Sequence, residues 1–288
     1  MNLGESDYLE IRGLRYHVRR WGPRDAPPLF LLHGILDNSA TFALMAEAFA
    51  GQRNLIAPDW RGHGHSDHAP QGYWFPDYLA DLDALVAHYA PDTTVSLVGH
   101  SMGGQAASLY AGLRPEKVAA LVCLDTLNVP EQPPEELPER YRHWLDLQRS
   151  PPRRKLYHSF EALAERIRHR NPRVDADRAR FIAECWGHRT DDGRVALYVD
   201  PWHLTRTPLL YRAAESMAIW KRVRCPVFCL DGAESAIRRA LGGDEHRRRR
   251  ACFRDLRQHA LADCGHMIHY EQPRTAVAEI ERFLDTEV

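Results

Sequence analysis

Val95-Ser96-Leu97-Val98-Gly99-His100-Ser101-Met102-Gly103-Gly104 decides how the rest of the chain is read. Val95 to Val98 form an apolar, β-prone run. The sequence then breaks into Gly-x-Ser-x-Gly, and a helix-like run, Ala106 to Leu113, follows and stops before Pro115. A strand that turns this tightly into a helix brings backbone against backbone, and Gly99 and Gly103 remove the side chains that would collide. Ser101 is left at the tip on strained backbone with an exposed hydroxyl, the context a nucleophile elbow requires. The start of the helix also directs free N–H groups at whatever that hydroxyl attacks. In an ordinary strand-to-helix loop the same five residues would supply only a capping serine, so the context is what gives the pattern chemical meaning.

Working outward, Leu29–Leu32, Leu55–Ala57, Val118–Leu124 and Val227–Leu230 repeat the short, continuous apolar character of strands covered on both faces. Tyr16–Trp21 reads as an earlier strand closed by Gly22-Pro23 and Pro27-Pro28. Between strands, Leu79, Leu82, Leu85, Val86 and Tyr89 share one helical face after Pro76, and Val277, Ile280, Phe283 and Leu284 mark a last amphipathic helix. Strands alternating with helices predict an α/β fold with a mostly parallel sheet. The alternation breaks once. From about 128 to 220 the chain is helix-like, proline-punctuated and carries Trp144, Trp186, Trp202 and Trp220. That is too long for a plain connection. It predicts a helical cap, 128–220, over the carboxyl ends of the strands of a core built from 1–127 and 221–288.

Composition narrows the partners. Of 288 residues, 44% are hydrophobic and 27% charged, with a net charge of −1. That balance argues against a dominant electrostatic attraction to nucleic acid or an anionic membrane. Met1–Glu10 has no apolar signal region, and no run approaches the roughly eighteen apolar residues of a membrane span. The six cysteines form no C-x-x-C pair, and Cys123 and Cys229 fall in expected buried strands, so a reduced, cytoplasmic protein is expected. Sixteen histidines include no H-E-x-x-H pattern, and no metal is expected. The run Arg247–Arg250 reads as a solvated helix face.

A serine nucleophile needs a base. His266, in Asp263-Cys264-Gly265-His266-Met267, sits on a loop between a weak strand (His259–Leu261) and the last helix, where an imidazole can stand over the elbow. His269 is the nearby competitor.

With these residues in place the chain resembles an α/β-hydrolase. His33-Gly34 is similar to the family's oxyanion loop, Asp59-Trp60-Arg61-Gly62-His63-Gly64-His65-Ser66 to its D-x-R-G-x-G-x-S loop, Gly99–Gly103 to its elbow and Gly265-His266 to its histidine loop. Two longer stretches, His33 to Phe42 and Asp200-Pro201-Trp202 through Pro208-Leu209-Leu210-Tyr211, are similar to a serine-hydrolase-like branch. The resemblance implies an eight-stranded sheet with helices on both faces. It also implies an oxyanion hole made by the backbone N–H groups of Ile35 and Met102, with His33 bracing the loop. Leu36, Asp37 and Trp60 are expected to line the substrate pocket.

The acid departs from the commonest family pattern. The turn Leu230-Asp231-Gly232-Ala233-Glu234-Ser235-Ala236 carries Ser and Ala where that acid is expected. Asp125, ending the strand Val122-Cys123-Leu124, is the leading alternative because a carboxylate at the end of a buried strand needs a partner such as an imidazole N–H. Glu234 and Asp231 stay open. The expected activity is cofactor-free, carboxylesterase-like hydrolysis of a small-molecule ester or thioester through an acyl-enzyme. A carbon–carbon bond hydrolase, a perhydrolase or a hydrolase-derived ligand receptor would use the same constellation.

Overall fold

A computed structural model describes residues 1–70 and 72–287. Strands β1 (Glu5–Ile11), β2 (Leu14–Trp21) and β3 (Pro28–Leu32) are followed by helix α1 (Ala43–Ala48), β4 (Asn54–Pro58), α2 (Phe75–Tyr89), β5 (Val95–His100), α3 (Met102–Leu113) and β6 (Val118–Leu124). After an intervening segment come β10 (Val227–Gly232), α8 (Ala236–Leu241), α9 (Gly243–Arg250), β11 (Leu256–Leu261), α10 (Ile268–Glu271) and α11 (Pro273–Glu287). The intervening segment holds α4 (Leu137–Arg149), β7 (Leu156–Tyr157), α5 (Phe160–Arg170), α6 (Ala176–Trp186), β8 (Gly187–Arg189), β9 (Val195–Leu197) and α7 (Ala213–Trp220).

The main sheet has eight strands in the order β1-β2-β4-β3-β5-β6-β10-β11. β2 alone runs against the rest, pairing antiparallel with β1 and β4; every pairing from β4 to β11 is parallel. Two apolar clusters cover its faces. One gathers Phe30, Leu97, Leu121, Leu82 and Trp220; the other gathers Leu31, Val98, Val122, Ile280 and Phe283. β3, β4 and most of β5 are buried throughout, which is why they read as continuous apolar runs. β5 lies near the centre, so its carboxyl end delivers Ser101 to the middle of the sheet's upper edge.

The intervening segment is not purely helical. β7, β9 and β8 form a separate antiparallel sheet, and α5 and α6 enclose a third apolar cluster with Leu163, Ile167, Ile182 and Val195. Leu44 and Tyr270 of the core reach into that cluster. α7, at the segment's end, packs on the core instead: Trp220 is fully buried and donates to Ser108 Oγ at 2.9 Å. Among the described residues no helix is long and apolar enough to cross a membrane.

The arginine run differs from the sequence expectation. Arg247 and Arg248 lie on the outer face of α9, but Arg249 and Arg250 are buried. Arg249 donates to the carbonyls of Leu127 and Val129, and Arg250 forks onto Asp231 at 2.8 and 2.6 Å. These distant partners make burial of two guanidiniums tolerable, and none is visible in the local composition.

Candidate active site

The turn after β5 places Ser101 at φ 50° and ψ −114°, a region an L-residue occupies only when its surroundings enforce it. The surroundings do so: Ser101 N–H donates to the Leu124 carbonyl at 3.1 Å, and the Thr126 hydroxyl donates to the Ser101 carbonyl at 2.7 Å. A side chain at Gly103 would fall on the Leu32 carbonyl, and one at Gly99 on the backbone of Gly104. Met102 is the first residue of α3, so its N–H has no acceptor within the helix. The loop after β3 lies directly against the elbow, since a Cβ on Gly34 would stand 3.2 Å from Ser101 Cβ. Ile35, 44% exposed, follows on that loop, and Leu36 takes φ 64°.

Asp125 follows directly on β6 with φ 43° and is buried. Its Oδ2 lies 2.5 Å from His266 Nδ1 and accepts from Ser235 Oγ at 2.6 Å, while Oδ1 accepts from Gly232 N–H at 3.3 Å. Ser235 occupies a position where the sequence pattern leads one to look for the acid. Its hydroxyl instead supports the carboxylate that arrives from the neighbouring strand. The other two carboxylates are engaged elsewhere. Glu234 pairs with Arg173, and Asp231 pairs with Arg250. Burial raises the pKa of Asp231, and Arg250 opposes the rise.

The His266 ring is 22% exposed. A carboxylate can only accept, so His266 Nδ1 donates to Asp125. Its loop is fixed from two sides. Gly265 N–H donates to Glu271 at 2.7 Å, and the His266 carbonyl accepts from His100 Nε2 at 2.9 Å. Burial, then the neighbouring His269 and His266, push the His100 pKa well below the ordinary imidazole value, which keeps His100 a neutral brace. His100 precedes the nucleophile position, so one short stretch ties Ser101 to the histidine loop. Sequence reasoning missed this role; a histidine inside the elbow pattern was the only signal.

His269 belongs to a different arrangement. It lies 2.9 Å from Asp37 Oδ2, and both are buried. Asp37 Oδ1 accepts from Trp186 Nε1 at 3.0 Å, Thr41 Oγ1 at 3.0 Å and Asn38 N–H at 2.8 Å. Burial opposes the charged form of Asp37 most strongly, but the bond and charge of His269 together with His33 and Tyr270 outweigh it, and the pKa falls below the usual carboxylate value. Asp37, His100 and His269 place ligand-type atoms within 4.8 Å of one another, the arrangement among the described residues that could hold a metal ion. The bonds already made to Asp37 describe it as a polar brace between the loop after β3, α6 and the histidine loop.

Asp37 and Trp60, both expected along the pocket, are buried. Trp60 is fully buried, donates Nε1–H to the His33 carbonyl at 3.0 Å and its backbone N–H to His33 Nε2 at 3.0 Å, and meets Tyr78 edge to face. Four polar contacts satisfied by Asp37, and two by Trp60 and His33, consume the groups a substrate would need. Leu36 remains partly exposed. The stretch Asp200-Pro201-Trp202 clamps the intervening segment to the D-x-R-G-x-G-x-S loop. Asp200 N–H donates to the Gly62 carbonyl at 2.8 Å, Asp200 Oδ2 accepts from Tyr73 at 2.7 Å, and His203 Nε2 donates to the Arg61 carbonyl at 3.1 Å.

A strand-end serine on strained backbone, an imidazole on the loop before the last helix and a buried carboxylate behind it form the constellation of an α/β-fold serine hydrolase. Comparison with known proteins agrees: residues 27–187 match the alpha/beta hydrolase fold family, and the chain belongs to it. It is 31% identical over 193 residues to the serine hydrolase-like protein of Danio rerio, across 65% of this chain and 57% of that protein. It is 26% identical to the 2-(acetamidomethylene)succinate hydrolase of Mesorhizobium japonicum, across 96% of this chain and 94% of that one. Among solved structures, the thioesterase domain from the curacin biosynthetic pathway superposes with a TM-score of 0.85 at 23% identity, across 97% of this chain and 100% of that domain.

Proposed function

We propose that this protein is a serine hydrolase that cleaves a small-molecule ester or thioester through an acyl-enzyme. The observation that carries the reading is the His266 Nδ1–Asp125 Oδ2 contact of 2.5 Å on a loop tied by His100 to the strand that leads into Ser101. In this mechanism Asp125 fixes the His266 tautomer and stabilises the imidazolium without taking the proton. His266 Nε2 accepts the Ser101 proton as Oγ attacks the carbonyl carbon. The tetrahedral oxyanion rests on the N–H groups of Ile35 and Met102, the former on the loop packed against Ser101 and the latter opening α3. His266 then protonates the leaving alcohol or thiol, and water repeats the sequence on the acyl-enzyme. No step calls for a cofactor.

Residues 128–220 act in this reading as a cap that shapes the substrate entrance. Trp186, donating to Asp37, and His203, donating to the Arg61 carbonyl, hold it to the loops around Ser101. The relatives whose names specify a hydrolase or a thioesterase support an acyl-transfer reading. A series of p-nitrophenyl esters and acyl thioesters of increasing chain length tests it. The expected result is a burst of leaving group stoichiometric with protein, followed by steady turnover, both lost in Ser101→Ala. Turnover that survives Ser101→Ala refutes the mechanism.

A further inference from the structure

A second Ser-His-Asp relay lies at the far edge of the sheet, apart from Ser101. Ser6 Oγ in β1 is 2.9 Å from His17 Nε2, and His17 Nδ1 is 2.7 Å from Asp59 Oδ2. β1 and β5 are four strands apart in the sheet, roughly 20 Å at ordinary strand spacing. We propose that Ser6 is a second activated hydroxyl, an acyl-acceptor site for small activated esters and related electrophiles that works independently of Ser101.

The buried half of the relay fixes its polarity. His17 and Asp59 are buried, at 0% and 1% exposure. Asp59 Oδ1 accepts from Ser39 N–H at 2.6 Å and Oδ2 from His65 N–H at 2.8 Å. Burial opposes its charge, but the bonds from His17 and the other donors hold its pKa well below the carboxylate range. An ionised Asp59 only accepts, so His17 Nδ1 donates to it. In the proposed relay Nε2 is the acceptor and the Ser6 hydroxyl the donor. The ring cannot turn away. His17 N–H donates to Ser66 Oγ at 2.9 Å, its carbonyl accepts from Asp59 N–H at 2.9 Å, and Tyr8 and His65 pack on it at 5.0 and 5.1 Å.

The accessible half supplies the nucleophile. Ser6 is exposed on an edge strand. Its register partner is Arg19, and Tyr8 opposes His17. Directly paired residues share a sheet face, as do residues two apart in one strand, so Ser6, Tyr8, His17 and Arg19 lie on one face. Arg19 is 8% exposed; one terminal nitrogen donates to the Leu3 carbonyl at 3.2 Å, and Nε has no partner. Nε is itself buried, so Arg19 contributes positive charge opposite Ser6 and not a donor within a substrate's reach. In the reaction the Ser6 Oγ–H bond breaks and its proton passes to His17 Nε2. Oγ bonds to the acyl carbon, the bond from that carbon to the leaving oxygen breaks, and His17 returns the proton to the departing alkoxide.

Treating the Ser101→Ala protein with p-nitrophenyl acetate and mapping the acetylated peptides tests the proposal without interference from the first site. The expected result is acetyl on Ser6 well ahead of the exposed Ser150, with the Ser6 rate falling by about a hundredfold in Ser101→Ala/His17→Gln. Acetylation of Ser6 no faster than Ser150, or unchanged by His17→Gln, overturns it. Should His17→Gln fail to fold, Ser6→Cys and Ser150→Cys decide the matter by alkylation with iodoacetamide at pH 6. A Ser6→Cys thiol at least tenfold faster, because His17 draws off its proton, supports the relay, and equal rates refute it.

Discussion

His266, on the loop before α10, and His269, three residues on within α10, each face a buried carboxylate, yet the two pairs are built for opposite ends. The Asp125–His266 pair has a partly exposed ring with one nitrogen uncommitted. The Asp37–His269 pair is shut in, and Asp37 also carries Trp186, Thr41 and Asn38. A carboxylate–imidazole contact thus says little about chemistry by itself. In the proposed mechanism the exposure of the ring is what separates the catalytic pair from the brace, since His269 Nδ1 is also without a partner but is buried.

The largest test of that contrast is kinetic. Asp125→Asn is expected to lower kcat by about 10⁴-fold with the circular-dichroism spectrum retained, because the His266 tautomer is no longer fixed. Asp37→Asn should leave kcat within about tenfold. Equal losses would erase the distinction. The second test is thermodynamic. Asp37→Ala strands four donors and is expected to cost about 3 kcal/mol in urea unfolding.

Acid sharpens the comparison through the buried rings. Burial holds the His203 pKa down to about 4, against about 6.5 for an ordinary imidazole. Between those values the unfolded chain binds a proton that the folded chain refuses, so stability is complete above about pH 6.5 and declines as pH falls toward 4. His63 and His100 are also held low, by burial first. Tm should fall across that window, and His203→Gln should flatten the slope; a Tm that rises toward pH 4 contradicts the assignment. The smallest effect is expected from Trp186→Phe, which removes one donor to Asp37 and should cost about 1 kcal/mol with kcat little changed.

Much of this was legible because the sheet is covered on both faces, so its inner strands read as unbroken apolar runs. Ser101 and His266 could be placed from elbow and loop patterns, and Asp125 from an acid left at the end of a buried strand. β1 escaped because an edge strand alternates, and its outward residues are polar. The small sheet in 128–220 escaped because its strands are two or three residues long. The burial of Asp37 and Trp60, expected along the pocket, and of Arg249 and Arg250, expected on a solvated face, has one reason. Each side chain is claimed by a partner far away in sequence: His269 for Asp37, His33 for Trp60, Leu127 and Asp231 for the arginines.

The account turns on Ser101 being activated through His266 and Asp125. The direct measurement is the rate at which a fluorophosphonate modifies Ser101, followed by peptide mapping in the unaltered protein, Asp125→Asn and Asp37→Asn. The account predicts rapid, stoichiometric modification of Ser101 in the unaltered protein, comparable modification in Asp37→Asn and near-complete loss in Asp125→Asn. Folded protein whose Ser101 stays unmodified, or in which Asp125→Asn reacts as fast as the unaltered chain, would contradict it.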